Sequence, residues 1–221
     1  MTEHQHAQHD ADVDFGHMLT QEFWDDRYGS AEQIWSGKPN AQLITQAASL
    51  TPGEALEVGC GEGADAIWLA AQGWTVTGVD VSEVALKRAA GHAAARGDQV
   101  ADRITWLRED ALTWAPAPDS FDLVCAQFMH MPGPELESLH RRLTAAVRPG
   151  GTFLIVLHYP DDVRKHIAPP SAFPPAAQLA ATLDPARWDV IVAEAFERMG
   201  TDPDGQPMMM RDTVLRAVRR A

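Results

Sequence analysis

Three glycines at alternate positions mark a part of the chain that suits the binding of a small ligand. Gly59, Gly61 and Gly63 follow a short apolar segment at residues 54–58 and precede a helical pattern at residues 64–71. Because glycine has no Cβ, a ligand can lie directly against the backbone of such a turn, where the helix begins. The spacing predicts a nucleotide-type site at the end of a strand in an α/β sheet.

The charges around this turn indicate which nucleotide it binds. Glu57, Glu62 and Asp65 lie in or beside the turn, and no Lys or Arg occurs between residues 54 and 74. A pyrophosphate favours a helix N-terminus that is free of competing anions. S-adenosylmethionine fits better, because it carries an ammonium, a sulfonium and no phosphate. The glycines also come close to the dinucleotide pattern, with Asp80 at about the expected distance, so an NAD-type oxidoreductase stays open as an alternative.

Five segments in this order resemble the motifs of the class I S-adenosylmethionine-dependent methyltransferases. The resemblance extends from about Phe23 to the C-terminus and begins with residues 57–63, which have the form E-x-G-x-G-x-G. It implies that S-adenosylmethionine is the cofactor and that Glu57, Gly59 and Gly61 contact it. Among small-molecule members of the family, the chain resembles the thiopurine and tellurite-resistance types.

Acids at the ends of the next two predicted strands complete the implied cofactor site. Asp80 resembles the acid that binds both ribose hydroxyls, and Val81 follows it at the same strand end. Asp110 and Ala111 match the position that contacts the adenine amino group. Considered from the residues alone, Asp80 could instead cap the helix that Ser82 begins.

The ends of the fourth and fifth predicted strands carry the candidates for catalysis: Gln127, His130, His158 and Tyr159. The resemblance implies that Gln127 lies near the transferred methyl group and is part of the cofactor site. His130 is the candidate general base, because an unperturbed pKa of about 6.5 suits removal of a proton from a thiol or hydroxyl. The alternative is that His130 only packs beneath the following helix.

The order of the predicted elements indicates the fold class. We expect an α/β protein with a doubly wound, seven-stranded, mostly parallel sheet of Rossmann-like methyltransferase type and a C-terminal antiparallel hairpin strand. A plain dehydrogenase domain would continue with another parallel βα unit instead. The predicted strands cover residues 54–58, 75–79, 103–107, 122–127, 152–157, 188–196 and 208–218, the main helices cover 82–96 and 134–147, and residues 148–151 and 201–207 are turns.

The N-terminal region divides into a tail and a helical lid. Residues 1–18 are polar and contain His4, His6, His9 and His17, which predicts a disordered tail, with metal binding as the alternative. Residues 19–221 form one predicted domain, and a helix with Thr20 as N-cap begins its lid at about residues 19–50. Trp35 is the aromatic residue of that lid and is expected near the cofactor, unless it only anchors the N-terminal helices.

Composition and charge limit the partners of the protein. A formal net charge of −13 disfavours a nucleic-acid backbone or an anionic membrane surface. Cys60 and Cys125 have no metal-site spacing, and no signal-type or transmembrane run occurs in the sequence, so we expect a cytoplasmic enzyme without a metal. The segment 160–175 contains Arg164, Lys165 and His166 and is expected at the rim of a small-molecule acceptor site. A non-catalytic protein that binds S-adenosylmethionine or metal is the third alternative.

Overall fold

The structure is a computed structural model that describes residues 15–159, 169–201 and 206–221. Its strands are β1 Glu54–Val58, β2 Thr75–Asp80, β3 Ile104–Arg108, β4 Phe121–Gln127, β5 Val147–His158, β6 Trp188–Thr201 and β7 Pro207–Arg219. Its α-helices are α1 Gln21–Gly29, α2 Ala41–Ala47, α3 Ala64–Ala71, α4 Glu83–Ala95, α5 Asp98–Ala101, α6 Gly133–Ala146 and α7 Ala176–Ala181. Short 3-10 helices cover His17–Leu19 and Pro170–Ala172.

All seven strands form one sheet in the order β3-β2-β1-β4-β5-β7-β6. Strands β1 to β5 run parallel, whereas β7 is antiparallel to both of its neighbours. The strand order reverses between β1 and β4, and in open α/β sheets the carboxyl ends of the strands at this position form a ligand-binding crevice. The fold-class prediction is confirmed.

Two apolar layers cover the faces of the sheet. On one face, Leu139 and Leu143 of α6 are fully buried against Phe153 of β5. On the other face, Leu43 of α2 and Leu69 of α3 pack into a second buried cluster. Helices on both faces explain why the central strands are apolar on both sides, as expected for a parallel sheet.

The predicted helix starts agree with the structure. The Thr20 side chain accepts a hydrogen bond from the Phe23 amide at 3.2 Å, and Ser82 accepts from the Ala85 amide at 3.1 Å. Asn40 caps α2 by accepting from the amides of Gln42 and Leu43. These side chains satisfy backbone N–H groups that have no partner within a helix.

Strand ends differ from the sequence prediction where tertiary pairing extends them. Strand β5 begins at Val147 instead of residue 152, because residues 148–151 form an irregular bulge between two points of pairing with β4. The C-terminal hairpin pairs from Trp188 to Thr201 on β6, several residues beyond the predicted end at 196. In such a hairpin each added pair satisfies more backbone hydrogen bonds, whatever the local composition.

The predicted His-rich tail lies mostly outside the described residues. His4, His6 and His9 belong to that part, whereas His17 is in the first 3-10 helix, with its ring 5.5 Å from the ring of Phe23. Within residues 15–159, 169–201 and 206–221, no group of three or more His, Cys, Asp or Glu could hold a metal ion. Among the same residues, no helix combines the length and apolar composition needed to cross a membrane.

Candidate active site

The glycine turn after β1 has a backbone conformation that L side chains rarely adopt. Gly59, Gly61 and Gly63 have φ values of +74°, +52° and +84°. The amides of Gly59 and Cys60 donate to the Val79 carbonyl at 2.8 and 3.0 Å, so the turn is fixed to the end of β2. Glycine is therefore required here by the backbone itself.

Protein side chains pack closely against this turn. A Cβ at Gly59 would lie 2.1 Å from Sδ of Met129, and one at Gly61 would lie 2.8 Å from the Tyr28 hydroxyl and 3.4 Å from Trp35 Nε1. The sequence predicts that a ligand approaches the turn at these glycines. In this conformation Met129, Tyr28 and Trp35 cover the same surface.

Asp80 connects the glycine turn to helix α4. One carboxylate oxygen accepts from the Gly61 amide at 2.8 Å, and the other accepts from the Ser82 amide at 2.9 Å. Burial raises the pKa of Asp80, although these backbone hydrogen bonds oppose the effect. A carboxylate oxygen can accept two hydrogen bonds, so the contacts leave capacity for a ligand hydroxyl. The capping role that was considered from the sequence is therefore present in the structure.

A cleft lies beside Asp80 at the carboxyl ends of β2 and β3. It is lined by Val81 and Asp110 together with three residues that the sequence analysis did not select: Gln21, Arg108 and Glu109. Asp110 is exposed, and its carboxylate accepts from the Leu112 amide at 2.8 Å. Ala111 is buried, and its carbonyl accepts from Arg142. Two predicted cofactor residues thus lie in one cleft.

Two buried polar side chains lie at the ends of the central strands β1 and β4. Burial, with the charges of Asp65 and Asp80, raises the pKa of Glu57 well above its ordinary value and favours the neutral carboxyl group. Glu57 Oε2 has no hydrogen-bond partner among the described residues. Among the described residues, the buried amide group of Gln127 has no hydrogen-bond partner other than the Cys125 thiol, which is a weak hydrogen-bonding group.

The other acids at the turn bind the N-terminal segment. Glu62 accepts from the amides of Ile34 and Trp35 at 3.0–3.2 Å and forms an ion pair with Arg88 at 3.0 Å. Asp65 accepts from the Asn40 amide at 2.5 Å. The sequence predicted a negatively charged turn because no Lys or Arg occurs between residues 54 and 74. In the structure, Arg88 of α4 neutralises Glu62, so the turn is less negative than predicted. S-adenosylmethionine remains the inferred ligand.

Trp35 lies over the turn as part of an aromatic group from the N-terminal segment. Its Nε1 donates to the Tyr28 hydroxyl at 2.9 Å, and its ring lies 6.4 Å from that of Trp24. Tyr28 is buried, and burial together with the charge of Asp80 raises its pKa. Trp35 itself remains 43% exposed, so its outer face is open to solvent.

At the end of β4 the chain turns sharply, and the turn orients His130. Phe128 has a φ of +57°, a costly conformation for a bulky residue, and its amide donates to the Val156 carbonyl at 2.7 Å. His130 Nδ1 lies 3.1 Å from the Ala172 carbonyl oxygen. A carbonyl oxygen can only accept, so Nδ1 carries the hydrogen and Nε2 is the basic nitrogen of the neutral ring.

The other two catalytic candidates differ in their surroundings. The ring of His158 lies 4.1 Å from that of Phe128 and 5.1 Å from that of His130. The Tyr159 ring instead stacks under the guanidinium group of Arg211 at 3.9 Å, and its amide donates to the Arg211 carbonyl. Of the two, only His158 lies against His130 among the described residues. The predicted rim residues Arg164, Lys165 and His166 lie outside the part of the chain that the structure describes.

Comparisons with known proteins agree with this fold. Residues 55–151 match the family model described as a methyltransferase domain. A probable thiol methyltransferase 2 of Arabidopsis thaliana is 32% identical over 146 residues, which cover 64% of this chain and 63% of that protein. The chain thus spans less than two thirds of this relative's length.

Solved structures establish the similarity of fold over most of the chain. A structure described as "Conversion of a Disulfide Bond into a Thioacetal Group during Echinomycin Biosynthesis" has a TM-score of 0.72 and 24% identity, and the match covers 90% of this chain and 92% of that one. TehB from Haemophilus influenzae has a TM-score of 0.62 and 20% identity, and the match covers 91% and 67% of the two chains.

The fold and the matched domain define the class of protein. Residues 55–151 match a methyltransferase domain, in agreement with the predicted class I S-adenosylmethionine-dependent methyltransferases, whose methyl donor is S-adenosylmethionine. The residues present fit this donor, because the Asp80 carboxylate accepts from the Gly61 amide of the glycine turn and keeps capacity for a ligand hydroxyl. The predicted family and cofactor are confirmed, and the identification replaces the NAD-type alternative.

The buried carboxyl group of Asp65 should make stability depend on pH. Burial raises its pKa in the folded protein to about 6, from an ordinary value of 3.8, so folding favours the protonated form. This contribution is complete below the ordinary pKa and is lost as the pH rises through 6. Between about pH 4.5 and about pH 7 it should lower the free energy of unfolding by about 2 kcal/mol.

Asp65→Asn should remove this part of the pH dependence, and urea unfolding at both pH values measures it. Asp102→Asn, which changes an exposed carboxylate, is the matched control and should behave as the wild type. An Asp65→Asn protein with the full wild-type slope would contradict the assignment.

Proposed function

We propose that the protein transfers a methyl group from S-adenosylmethionine to a small-molecule acceptor. The observation that carries the proposal is the contact between the two halves of the crevice. Met129 packs against Gly59 of the glycine turn, and the next residue, His130, belongs to the stack at the ends of β4 and β5. A donor at the turn and an acceptor at His130 would therefore be neighbours across the position where the strand order reverses.

The residue roles in the donor half follow from the resemblance to the family motifs. Asp80 and Val81 would hold the ribose, Asp110 and Ala111 would contact the adenine, and Gln127 would face the methionine portion. Glu57, Gly59 and Gly61 would line the turn beneath it. The close approach at Gly61, the cleft along β2 and β3, and the buried amide of Gln127 support this arrangement.

The acceptor half uses His130 as general base. The donor supplies an electrophilic methyl group, so the protein must align the acceptor, exclude water and remove a proton where the acceptor carries one. Hydrogen bonding of Nδ1 to the Ala172 carbonyl leaves Nε2 as the nitrogen that takes this proton. The thiol methyltransferase relative supports a small acceptor, and the net charge of −13 disfavours nucleic acid.

Residues 19–50 act as a lid in this proposal. Glu62 and Asp65 hold the backbone of the segment against the turn, while Trp35 and Tyr28 cover Gly61. Because these aromatic side chains lie where the donor would lie, the segment must move to admit it and can close again afterwards. Closure would keep water from the sulfonium and the acceptor.

S-adenosylhomocysteine should stabilise the protein, and NAD should not. At about 100 times Kd, binding to the folded state alone raises the free energy of unfolding by roughly 2.7 kcal/mol, which a thermal-shift assay detects easily. Stabilisation by NAD in place of S-adenosylhomocysteine would contradict the proposed donor.

Asp80→Asn tests whether the stabilisation arises at the assigned site. Asparagine keeps one oxygen for the backbone amides but loses the negative charge, so affinity by calorimetry should fall by roughly 1.5–3 kcal/mol. Asp102→Asn, at an exposed position before β3, is the control and should bind normally. Unchanged affinity of a folded Asp80→Asn protein would assign Asp80 to capping alone.

A methyl-transfer screen should identify a small acceptor. Thiols, phenols, halides and metalloid oxyanions are incubated with methyl-labelled S-adenosylmethionine, beside nucleic-acid and protein substrates as controls. We expect turnover with at least one small molecule and a loss of at least about 100-fold in kcat for His130→Gln, typical of a lost general base. Turnover confined to the macromolecules would refute the small-molecule proposal.

Hydrogen exchange should detect the lid directly. The amides of Ile34 and Trp35 bond to Glu62, so Glu62→Gln should speed their exchange about 10-fold or more by weakening charge-assisted hydrogen bonds and the ion pair with Arg88. Glu32→Gln changes an exposed acid of the same segment and is the matched control. In the wild type, S-adenosylhomocysteine should increase protection of residues 20–40. Equal protection with and without ligand would make the segment a fixed part of the fold.

A further inference from the structure

A buried acid on the last strand lies behind the histidine stack. Asp212 of β7 is 0% exposed, and its Oδ2 accepts from Arg198 Nε at 2.7 Å. Its other oxygen, Oδ1, has no hydrogen-bond partner within the described residues and lies 3.8 Å from Nδ1 of the buried His158. A buried carboxylate is costly unless it interacts with a cation; Arg198 supplies one for Oδ2, and Oδ1 faces His158.

His158 lies close to both this acid and the candidate base. Its ring is nearly parallel to that of His130, with 5.1 Å between the centroids and 14° between the planes. It also stacks on Phe128 at 4.1 Å and 17°, and the rings of Phe128 and His130 lie 6.4 Å apart. The three rings leave little freedom for either imidazole to turn, so any change in their charge acts at a fixed distance.

Three electrostatic effects act on the two imidazoles together. Asp212 favours a positive charge on the stack, whereas Arg198 partly neutralises Asp212 and disfavours it. A proton on one ring opposes a proton on the other, since two cations at this distance repel. The two rings should therefore titrate as a coupled pair that holds one proton readily and a second only with difficulty.

Two charged side chains of the C-terminal hairpin lie beside the stack. Asp212 comes from β7 and Arg198 from β6, while β4 and β5 supply the histidines themselves. The segment around the second 3-10 helix contributes the Ala172 carbonyl and the ring of Phe173, which lies 4.7 Å from that of His130. The acid and the arginine thus act in opposite directions on the proton affinity of the pair.

We propose that Asp212 and His158 are positioning residues that make the His130–His158 pair a one-proton acceptor, and that the methyl acceptor is a weak acid with an S–H or O–H group. The proposal rests on the proposed methyl transfer. As the acceptor atom bonds to the methyl group, its proton passes to His130 Nε2. The electron pair of the broken S–CH3 bond stays on the sulfur of the donor, so atoms and charges balance.

This arrangement explains why Asp212, Arg198 and His158 form a triad at the proposed acceptor side. An acceptor that is already anionic needs no base, and a buried acid behind two histidines would then add cost without benefit. An acceptor that must lose a proton benefits from a base that is neutral before the reaction and stabilised as a cation during it.

Proton titration of the two rings by NMR tests the proposal on the full-length protein. His130→Gln and His158→Gln spectra assign the signals. Asp212→Asn removes the anion and should lower the first apparent pKa of the pair by about one unit or more. Arg198→Gln removes the opposing cation and should raise it. Movement in opposite directions is the expected result, and a general structural disturbance would not produce it.

Two outcomes would overturn the proposal. The first is that both rings keep wild-type titration curves in folded Asp212→Asn and Arg198→Gln proteins, with folding checked by melting curves. The second is that thiol and phenol probes give no turnover while iodide does. S-adenosylhomocysteine binding, measured on the same variants, should stay within about threefold of wild type because the triad lies on the acceptor side. If the wild-type protein does not bind S-adenosylhomocysteine, the methyltransferase proposal is refuted, whatever the titration of the two rings shows.

Discussion

The carboxylate of Asp80 is the contact on which the arrangement of the crevice depends. It accepts a hydrogen bond from the glycine turn through Gly61 and another from the start of α4 through Ser82. The turn after β1, the end of β2 and the helix after β2 are thereby fixed to one buried group. Ser82 in turn donates to Asp25 of α1 at 2.6 Å, so the N-terminal helix is joined to the same point.

The acids around the turn have a structural use that their charge alone did not indicate. Glu62 and Asp65 accept backbone amides from the segment that crosses the turn, and Arg88 balances Glu62. The same contacts hold residues 34–40 against the turn. A segment held by a few polar contacts suits the proposed lid, because methyl transfer requires a dry site and repeated access.

On the proposed acceptor side, the antiparallel hairpin supplies two charged side chains. Strands β4 and β5 end in a stack of rings that includes His130 and His158. The hairpin adds Arg198 and Asp212 behind that stack. The extra strands therefore complete the sheet and also bring an acid and an arginine close to His158.

The sequence by itself determined the fold class, the glycine turn, the strand-end acid Asp80 and the helix caps Thr20 and Ser82. These features depend on local periodicity, on φ values that require glycine and on side chains that bond within a few residues, all of which one segment encodes. Only the tertiary structure decided that Arg88 neutralises Glu62 and that Asp212 lies beside His158. The order of strands in the sheet and the packing of helices bring these partners together from distant positions in the sequence, and a local sequence pattern cannot predict such contacts.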